Sequence, residues 1–183
     1  MTMTDFKLAL RPYQLDDAPR LFEAASESIT DISPWMKWCH PGYTLAESEE
    51  WIPHCIAERE AKREFDFVVV DQGSGKFLGA VGINQINTLH QFANLGYWVR
   101  SSCAGHGIAV TATRLCARFG FDELHLKRIE IVAAVGNRRS QRVAEKAGAT
   151  REGILRNRLK VGEVSHDAVM FSLVPDDLKA ALV

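Results

Sequence analysis

The stretch GYWVRSSCAGHGIA, from Gly96 to Ala109, decides how this sequence of 183 residues is interpreted. The apolar run Phe92–Val99 predicts a strand, and Gly107–Gly120 predicts a helix because apolar residues recur there at helical spacing. A strand that passes through a glycine turn into a helix can bind an anion, since the first helical N–H groups have no intrahelical partner. The stretch lacks the Lys-Ser/Thr pair of a P-loop and the third glycine of a dinucleotide fingerprint. A tight turn without a ligand is the alternative interpretation.

Strand and helix patterns alternate on both sides of this stretch. Further helices are predicted after capping residues, namely Asp16 or Asp17, Thr44 with Glu47, and Asn137, the last helix stopping at Gly148. Further strands are predicted at Lys7–Arg11, Phe65–Val70, Lys76–Asn84, Arg128–Val135, Arg151–Lys160 and His166–Leu173. Pro53 predicts a kink or a late start in the second helix. The order predicts an α+β or mixed α/β fold in a single domain spanning residues 1–183.

The composition is that of an ordinary folded protein, with 46% hydrophobic and 25% charged residues. No apolar run reaches the roughly 18 residues that span a bilayer, and Met1–Leu10 does not resemble a signal peptide. The four cysteines are too scattered for a disulfide framework or a metal-ligand spacing. We therefore expect a cytoplasmic, reduced protein with no metal and no membrane partner.

Charge is unevenly distributed, although the formal net charge is only −1. Residues 1–66 hold thirteen acidic and seven basic side chains, whereas residues 138–160 hold eight basic and two acidic ones. The small net charge argues against nucleic acid as a partner. The asymmetry predicts a basic site for a small, multiply charged anion and an acidic region for a cationic partner. Two solvated faces would give the same pattern.

An ordered series of motifs connects the glycine turn to the rest of the chain. After Gly-Tyr-Trp and the turn come a helix, an alternating strand, the pair Asn137-x-x-Ser140 and the segment Glu145–Gly148. In this order the chain resembles the GCN5-related N-acetyltransferase (GNAT) superfamily, and within it the RimJ/RimL group of protein N-terminal acetyltransferases. The resemblance extends over residues 10–173 and is densest over residues 96–156. It implies a GNAT-like fold, with a central twisted, mostly antiparallel sheet that is splayed at the cofactor site and flanked by helices.

The resemblance also implies that acetyl-coenzyme A is the acetyl donor and binds at the glycine turn. The family's pyrophosphate loop falls on Ala104–Ala109, where Ala104 replaces the usual Gln or Arg. His106 in this loop is either a phosphate contact or an exposed loop residue. The end of the preceding strand would pair its backbone with the pantetheine arm. The implied cofactor-binding residues are Trp98, Val99, Arg100, Gly105, His106, Gly107, Ile108, Ala109, Asn137, Ser140 and Lys146.

Asn137 and Ser140 are the catalytic candidates that the resemblance implies. The Asn side chain would bind the cofactor, and the Ser hydroxyl would lie near its sulfur, where the leaving thiolate needs a hydrogen-bond donor. Both residue types are also common at the start of a helix for purely structural reasons. Some RimL-type enzymes have a Glu after the motif that falls here on Glu152–Gly153, but this chain has no acid there. The base therefore stays open between a water relay and Asp167, Glu163 or His166.

The aromatic loop Pro34–Trp38 matches the family's acceptor side, so Trp35 and Trp38 are predicted to bind substrate. A small hydrophobic core patch is the alternative interpretation. The favoured acceptor is the N-terminal α-amine of a protein, such as a ribosomal one, because an α-amine with a pKa of about 8 needs less help from a base than lysine does. A small-molecule amine (amino acid, polyamine or antibiotic) is the alternative acceptor, and a non-catalytic coenzyme A sensor is the alternative function. A homodimer is left open.

Overall fold

The structure, a computed structural model, describes residues 2–5 and 7–179. Strands β1 to β8 form one sheet in the order β1-β2-β3-β4-β5-β6-β8-β7, and all neighbours are antiparallel except the parallel pair β5 and β6. The strands are β1 (Met3–Thr4), β2 (Leu8–Pro12), β3 (Phe65–Asp71), β4 (Phe77–Asn87), β5 (Phe92–Val99), β6 (Arg128–Ala134), β7 (Thr150–Val161) and β8 (Val164–Leu173).

The sheet forks between its two parallel strands. β5 and β6 pair only where Phe92–Asn94 lies beside Arg128–Glu130, whereas β5 continues to pair with β4 as far as Val99. Within the described part of the chain, the edge of β5 that faces β6 therefore has no strand partner from Leu95 to Val99. This is the splayed, mostly antiparallel sheet that the resemblance implies, and the predicted α+β fold class is confirmed.

Helices cover both faces of the sheet. Helices α1 (Ala18–Ile32) and α2 (Leu45–Glu60) lie over one face, where Leu21 and Ile52 pack with Val68. Over the other face lie α3 (Ile108–Asp122), α4 (Arg138–Ala147) and α5 (Pro175–Lys179). There the ring of Phe119 contacts those of Phe65 and Phe67. Successive side chains of β3 point to opposite faces, so this one strand contributes to both hydrophobic cores.

The sequence patterns locate most of these elements, and the differences have local causes. α2 begins at Leu45 and continues through Pro53, so the predicted late start is wrong. Its first turn is held by the predicted capping box, in which Thr44 N donates to Glu47 Oε2 at 2.8 Å and Glu47 N donates to Thr44 Oγ1 at 3.3 Å. The sequence also predicts an irregular segment from Ile29 to Tyr43, but α1 continues through the first residues of that segment to Ile32. The patterns do not predict β1 and α5, since each is too short to show a period.

No helix in residues 2–5 and 7–179 is both long and apolar enough to cross a membrane. The same residues contain no group of three or more His, Cys, Asp or Glu side chains that could hold a metal ion. The cysteines are free thiols, and burial raises the pKa of the Cys39 thiol to about 11.

Candidate active site

A cleft of about 350 Å³ opens where β5 and β6 diverge; we call it the fork cleft. One wall is the end of β5, and the other is formed by the starts of α3 and α4. The fork cleft contains ten of the residues that the sequence predicts for the site, namely Trp35, Trp98, Val99, Gly105, Gly107, Ile108, Ala109, Asn137, Ser140 and Lys146. Residues from five separate stretches of the chain therefore meet in one place.

The glycine turn shapes the end of the fork cleft at the start of α3. Gly105 and Gly107 have φ angles of +84° and +80°, a left-handed conformation that side chains with a Cβ rarely adopt. A Cβ added at either glycine would have no atom within 4 Å, so the space above the turn is open. The first intrahelical bond of α3 runs from Thr111 N to Gly107 O at 3.0 Å. The N–H groups of residues 108–110 precede it and remain available to an anion.

Basic side chains of α4 line the same cleft. Arg139, Arg142 and Lys146 contribute three cations to the lining, against one carboxylate, that of Asp31 on α1. Arg139 Nη1 donates to Asp31 Oδ1 at 2.7 Å, so α1 and α4 are joined across the cleft. Hydrogen bonds from Ser101 and Arg139 lower the pKa of Asp31, which keeps this carboxylate ionised. The surplus of cations beside free N–H groups suits an anionic ligand with several charges.

Ser140 is joined to β5 across the fork by Tyr97. The Tyr97 hydroxyl donates to the Ser140 carbonyl at 2.8 Å and lies 3.0 Å from Ser140 Oγ. Burial raises the pKa of Tyr97 to about 12, so its hydroxyl stays protonated near neutral pH. Asn137 Oδ1 accepts from Ser140 N at 3.1 Å, which is the helix-capping role considered as an alternative. Sequence reasoning missed Tyr97, although it lies inside the GYW motif.

Three predicted site residues do not line the fork cleft. Both backbone groups of Arg100 are already paired, its N–H with Leu78 O at 2.8 Å and its carbonyl with Cys103 N at 2.9 Å. Its guanidinium donates to Glu27 at 2.6 Å and to Glu23 at 2.5 Å, so it holds the turn against α1. His106 is exposed, with Nδ1 at 3.3 Å from Cys103 O, and Trp38 lies in a second cavity. The backbone groups that Arg100 was expected to offer to the cofactor are therefore already hydrogen-bonded within the protein.

The second cavity, of about 390 Å³, lies between the α1–α2 side and the sheet; we call it the aromatic cavity. Its rings come from distant segments, namely Tyr13, Trp38, Tyr43, Trp51 and Trp98. The sheet beneath it is bare because Gly82 of β4 pairs directly with Gly96 of β5, and neither residue has a side chain. The two cavities share Met36, Tyr97 and Trp98 in their linings, so they adjoin at the end of β5.

Carboxylates give the aromatic cavity its charge. Glu47, Glu64 and Asp66 line it, and its lining includes no Lys or Arg. His40 Nε2 lies 2.8 Å from Glu47 Oε1, and its hydrogen bonds to Pro41 O and Glu47 raise its pKa. Burial, with Glu64 adding repulsion, raises the pKa of Asp66 to about 6. This cavity combines apolar walls with negative charge, which suits an ammonium group on an apolar body.

The three acids and bases that the sequence offered for proton transfer line neither cavity. Asp167 Oδ1 accepts from Asn157 N at 2.9 Å between β7 and β8. Glu163 forms an ion pair with Lys160 at 3.1 Å at the end of that hairpin. His166 lies on β8, opposite Leu159.

A forked sheet with open N–H groups and cations in the fork, next to an acidic aromatic cavity, suits a protein that brings an anionic ligand and a cationic one together. Residues 7–150 match the family model described as an acetyltransferase (GNAT) domain. The match covers most of the chain, which therefore belongs to the GNAT family and is an acetyltransferase. The sequence-based identification of the family is confirmed.

Individual relatives agree with this assignment. YjcK of Bacillus subtilis strain 168, described as a probable N-acetyltransferase, is 32% identical over 171 residues, which are 92% of this chain and 94% of that one. The ribosomal-protein-serine acetyltransferase of Escherichia coli K12 is 27% identical over 101 residues, 55% of this chain and 56% of that one. The solved structure of Mycobacterium smegmatis RimJ with CoA-disulfide is 26% identical, with a TM-score of 0.84 over 95% of this chain and 88% of that one.

Proposed function

We propose that this acetyltransferase moves the acetyl group of acetyl-coenzyme A to the N-terminal α-amine of a protein. The observation that carries the proposal is the adjacency of two unlike cavities at Tyr97 and Trp98. The fork cleft offers N–H groups and cations to an anionic donor. The aromatic cavity offers rings and carboxylates to a cationic acceptor. A transfer reaction needs such a junction, because the two reacting groups must meet in a fixed orientation.

Coenzyme A suits the fork cleft in two respects. Its pyrophosphate would lie at the N–H groups that begin α3, above Gly105 and Gly107, with Arg139 and Lys146 near its phosphates. Its amide-rich pantetheine arm would add to the edge of β5 that has no strand partner in the described structure, next to Trp98 and Val99. The RimJ structure named above contains a coenzyme A disulfide, which supports this donor class.

The departure of the coenzyme A thiolate is where Ser140 and Tyr97 would act. The Tyr97 hydroxyl and Ser140 Oγ are hydrogen-bonded at 3.0 Å and both line the fork cleft. Because the pKa of Tyr97 is raised to about 12, this pair keeps a proton to share at neutral pH. A hydroxyl donor that becomes effective only as the thiolate forms would lower the barrier to transfer.

The acceptor would enter through the aromatic cavity. An α-amine is favoured over lysine because its pKa is about two units lower, so at neutral pH its neutral fraction is on the order of 100 times larger. The relative named as a ribosomal-protein-serine acetyltransferase supports a protein acceptor. A small-molecule amine is the second candidate, because a cavity of about 390 Å³ with three carboxylates is within the usual size range of small-molecule sites.

The deciding experiment uses one peptide that carries both amines. The protein is incubated with acetyl-coenzyme A and a peptide with a free N-terminal serine and one internal lysine, and thiol release and product masses are measured. We expect acetylation at the α-amine, and no thiol release with the same peptide carrying an N-terminal formyl group. Acetylation at lysine only, or of spermidine and free amino acids but no peptide, would overturn the proposed acceptor. Binding of acetyl-coenzyme A without turnover of any amine would favour the sensor alternative.

Ser140→Ala separates chemistry from binding in the same assay. We expect kcat to fall about 10- to 1,000-fold, the usual range for a lost transition-state donor, while the affinity for acetyl-coenzyme A changes little. Tyr97→Phe removes the partner hydroxyl, and the double variant should lose less than the product of the two single losses, because the hydroxyls act as a pair. An unchanged kcat in Ser140→Ala would remove the residue from the reaction.

A further inference from the structure

One carboxylate of the aromatic cavity lies directly on the bare part of the sheet. Asp66 of β3 pairs with Gly82 of β4, which pairs in turn with Gly96 of β5. A Cβ added at Gly82 would collide with Asp66 Oδ1, so the carboxylate extends over this glycine. Neither glycine has a positive φ, and hence the backbone conformation does not require them. Because neither glycine has a side chain, there is open space above Gly96 and room for the Asp66 carboxylate above Gly82.

The surroundings of Asp66 stabilise its charge only in part: burial and Glu64 raise its pKa by more than Arg59, His54 and a hydrogen bond with Cys55 lower it. In the described residues no ion pair joins Asp66 to a cation within 4.0 Å. Arg59 of α2 donates to the backbone carbonyl of Asp66 at 3.3 Å, and its guanidinium carbon lies 4.4 Å from the centre of the Phe67 ring. The other titratable groups that influence Asp66, or are influenced by it, are Tyr13 before α1, His54 and Cys55 on α2, Glu64 next to β3 and Cys116 on α3.

A half-buried carboxylate that forms no ion pair within 4.0 Å in the described structure and has a raised pKa is costly for the fold, and such groups are candidates for a functional role. Asp66 lines the same cavity as Trp98, the residue at which this cavity adjoins the fork cleft, so it lies on the acceptor side of the proposed junction. We propose that Asp66 binds the ammonium group of the acceptor and takes its proton before acetyl transfer. This assignment rests on the proposed function, and it names the base that the sequence left open.

Protons and bonds balance in the reaction when Asp66 takes this role. The ammonium gives one proton to the Asp66 carboxylate and becomes a neutral amine. The amine nitrogen forms the C–N bond to the acetyl carbon while the C–S bond breaks and its electron pair leaves on the thiolate. The second proton lost by nitrogen ends on that thiolate, and Asp66 releases its own proton to water. A base with a pKa of about 6 is ionised at neutral pH and can still accept a proton.

The test compares Asp66→Asn with Asp71→Asn, which removes a carboxylate from the exposed end of the same strand. The substrate is a lysine-free peptide with an N-terminal serine, and kcat/KM is measured from pH 5 to pH 10. We expect Asp66→Asn to lose about 100-fold at pH 7, and the loss to shrink with rising pH as the amine deprotonates without help. Asp71→Asn should match the parent, and the affinity for acetyl-coenzyme A should be the same in all three proteins.

A second measurement needs no variant. In the parent saturated with coenzyme A, the titration of the Asp66 carboxyl resonance is followed by carbon-13 NMR with and without the same peptide. A bound ammonium favours the carboxylate, so the peptide should lower the midpoint. An unmoved midpoint, or an Asp66→Asn loss that is the same at every pH, would overturn the role of Asp66. A parent that acetylates no amine would instead count against the proposed function, and the NMR titration would still decide whether Asp66 meets the ammonium.

Discussion

The fork cleft and the aromatic cavity adjoin at Trp98, yet they are built by different means. Two features of the fork cleft are made of backbone, namely the glycine turn proposed to bind the anion and the edge of β5 that has no strand partner in the described structure. The aromatic cavity consists mainly of side chains from α1, α2, the segment between them, β3, β4 and β5, and of the space left by two glycines. A backbone site depends on local conformation, whereas a side-chain site depends on which segments the fold brings together. Substitutions should therefore affect the two regions in different ways.

The largest effect on donor binding is expected for Gly107→Val in the fork cleft. Valine at a φ of +80° is strained, and its side chain would enter the open space above the first turn of α3. We expect the affinity for acetyl-coenzyme A to fall about 100-fold, since the pyrophosphate needs close approach to the N–H groups there. Isothermal titration calorimetry measures the loss.

Gly75→Val is the matched control for this variant. Gly75 also has a positive φ, of +68°, and open space around its Cβ position, but it lies in the turn between β3 and β4. It should reproduce the loss of stability, of about 1–2 kcal/mol for a residue forced into this conformation, without the loss of affinity. Equal affinities for the two variants would mean that the pyrophosphate binds elsewhere.

A smaller and more selective effect is expected for Gly96→Val in the aromatic cavity. Gly96 does not have a positive φ, and a Cβ there has no atom within 4 Å, so the strand can accept valine while the cavity loses volume. We expect kcat/KM for the peptide to fall about 30-fold, a loss typical of a misplaced acceptor, with unchanged affinity for acetyl-coenzyme A. Peptide kinetics at saturating donor give the first quantity and calorimetry the second.

The control for Gly96→Val is Gly153→Val on β7, which is equally open and lies outside both cavities. It should leave both the kinetics and the affinity as in the parent. If Gly96→Val weakened donor binding as strongly as Gly107→Val, the division of the molecule into two independent sites would be wrong.

This difference in construction also explains what can be predicted from the sequence. Gly105, Gly107, Asn137 and Ser140 belong to local patterns, and the family resemblance carried by those patterns implies one cofactor site for all four, which line the fork cleft together. Strands such as Phe92–Val99 are predicted with their observed bounds, since apolar runs and turn residues are local signals as well. The short β1 and α5 carry no such signal.

Asp66 and the pair Gly82–Gly96 cannot be predicted in the same way. They are separated along the chain and meet only through the register of β3, β4 and β5. In the sequence, Asp66 does not differ from other polar residues on half-buried strands. Only its pairing with Gly82 in the sheet distinguishes it. Arg100 shows the converse, because it belongs to the local motif and yet its guanidinium turns to Glu23 and Glu27 on α1, which no local pattern specifies.

The smallest expected effect is on stability, and it distinguishes a carboxylate kept for function from one that supports the fold. The pKa of Asp66 is about 6 in the folded protein against an ordinary value of 3.8, so the contribution of this group to stability falls as the pH rises from about 4 to 6. At 1.36 kcal/mol per pKa unit, this loss in the free energy of unfolding has an upper bound of about 3 kcal/mol. Asp66→Asn should therefore raise the melting temperature by a few degrees at pH 7, and the gain should vanish near pH 4.

The pKa of Asp71 is instead lowered by hydrogen bonds from Ser74, so Asp71→Asn should lower the melting temperature at pH 7 and lose this effect as the pH falls. Thermal melts of both variants and the parent between pH 4 and pH 8 test the opposite signs. A loss of stability at pH 7 in Asp66→Asn would show that the carboxylate supports the fold, and would count against the view that it is kept for function at a cost in stability.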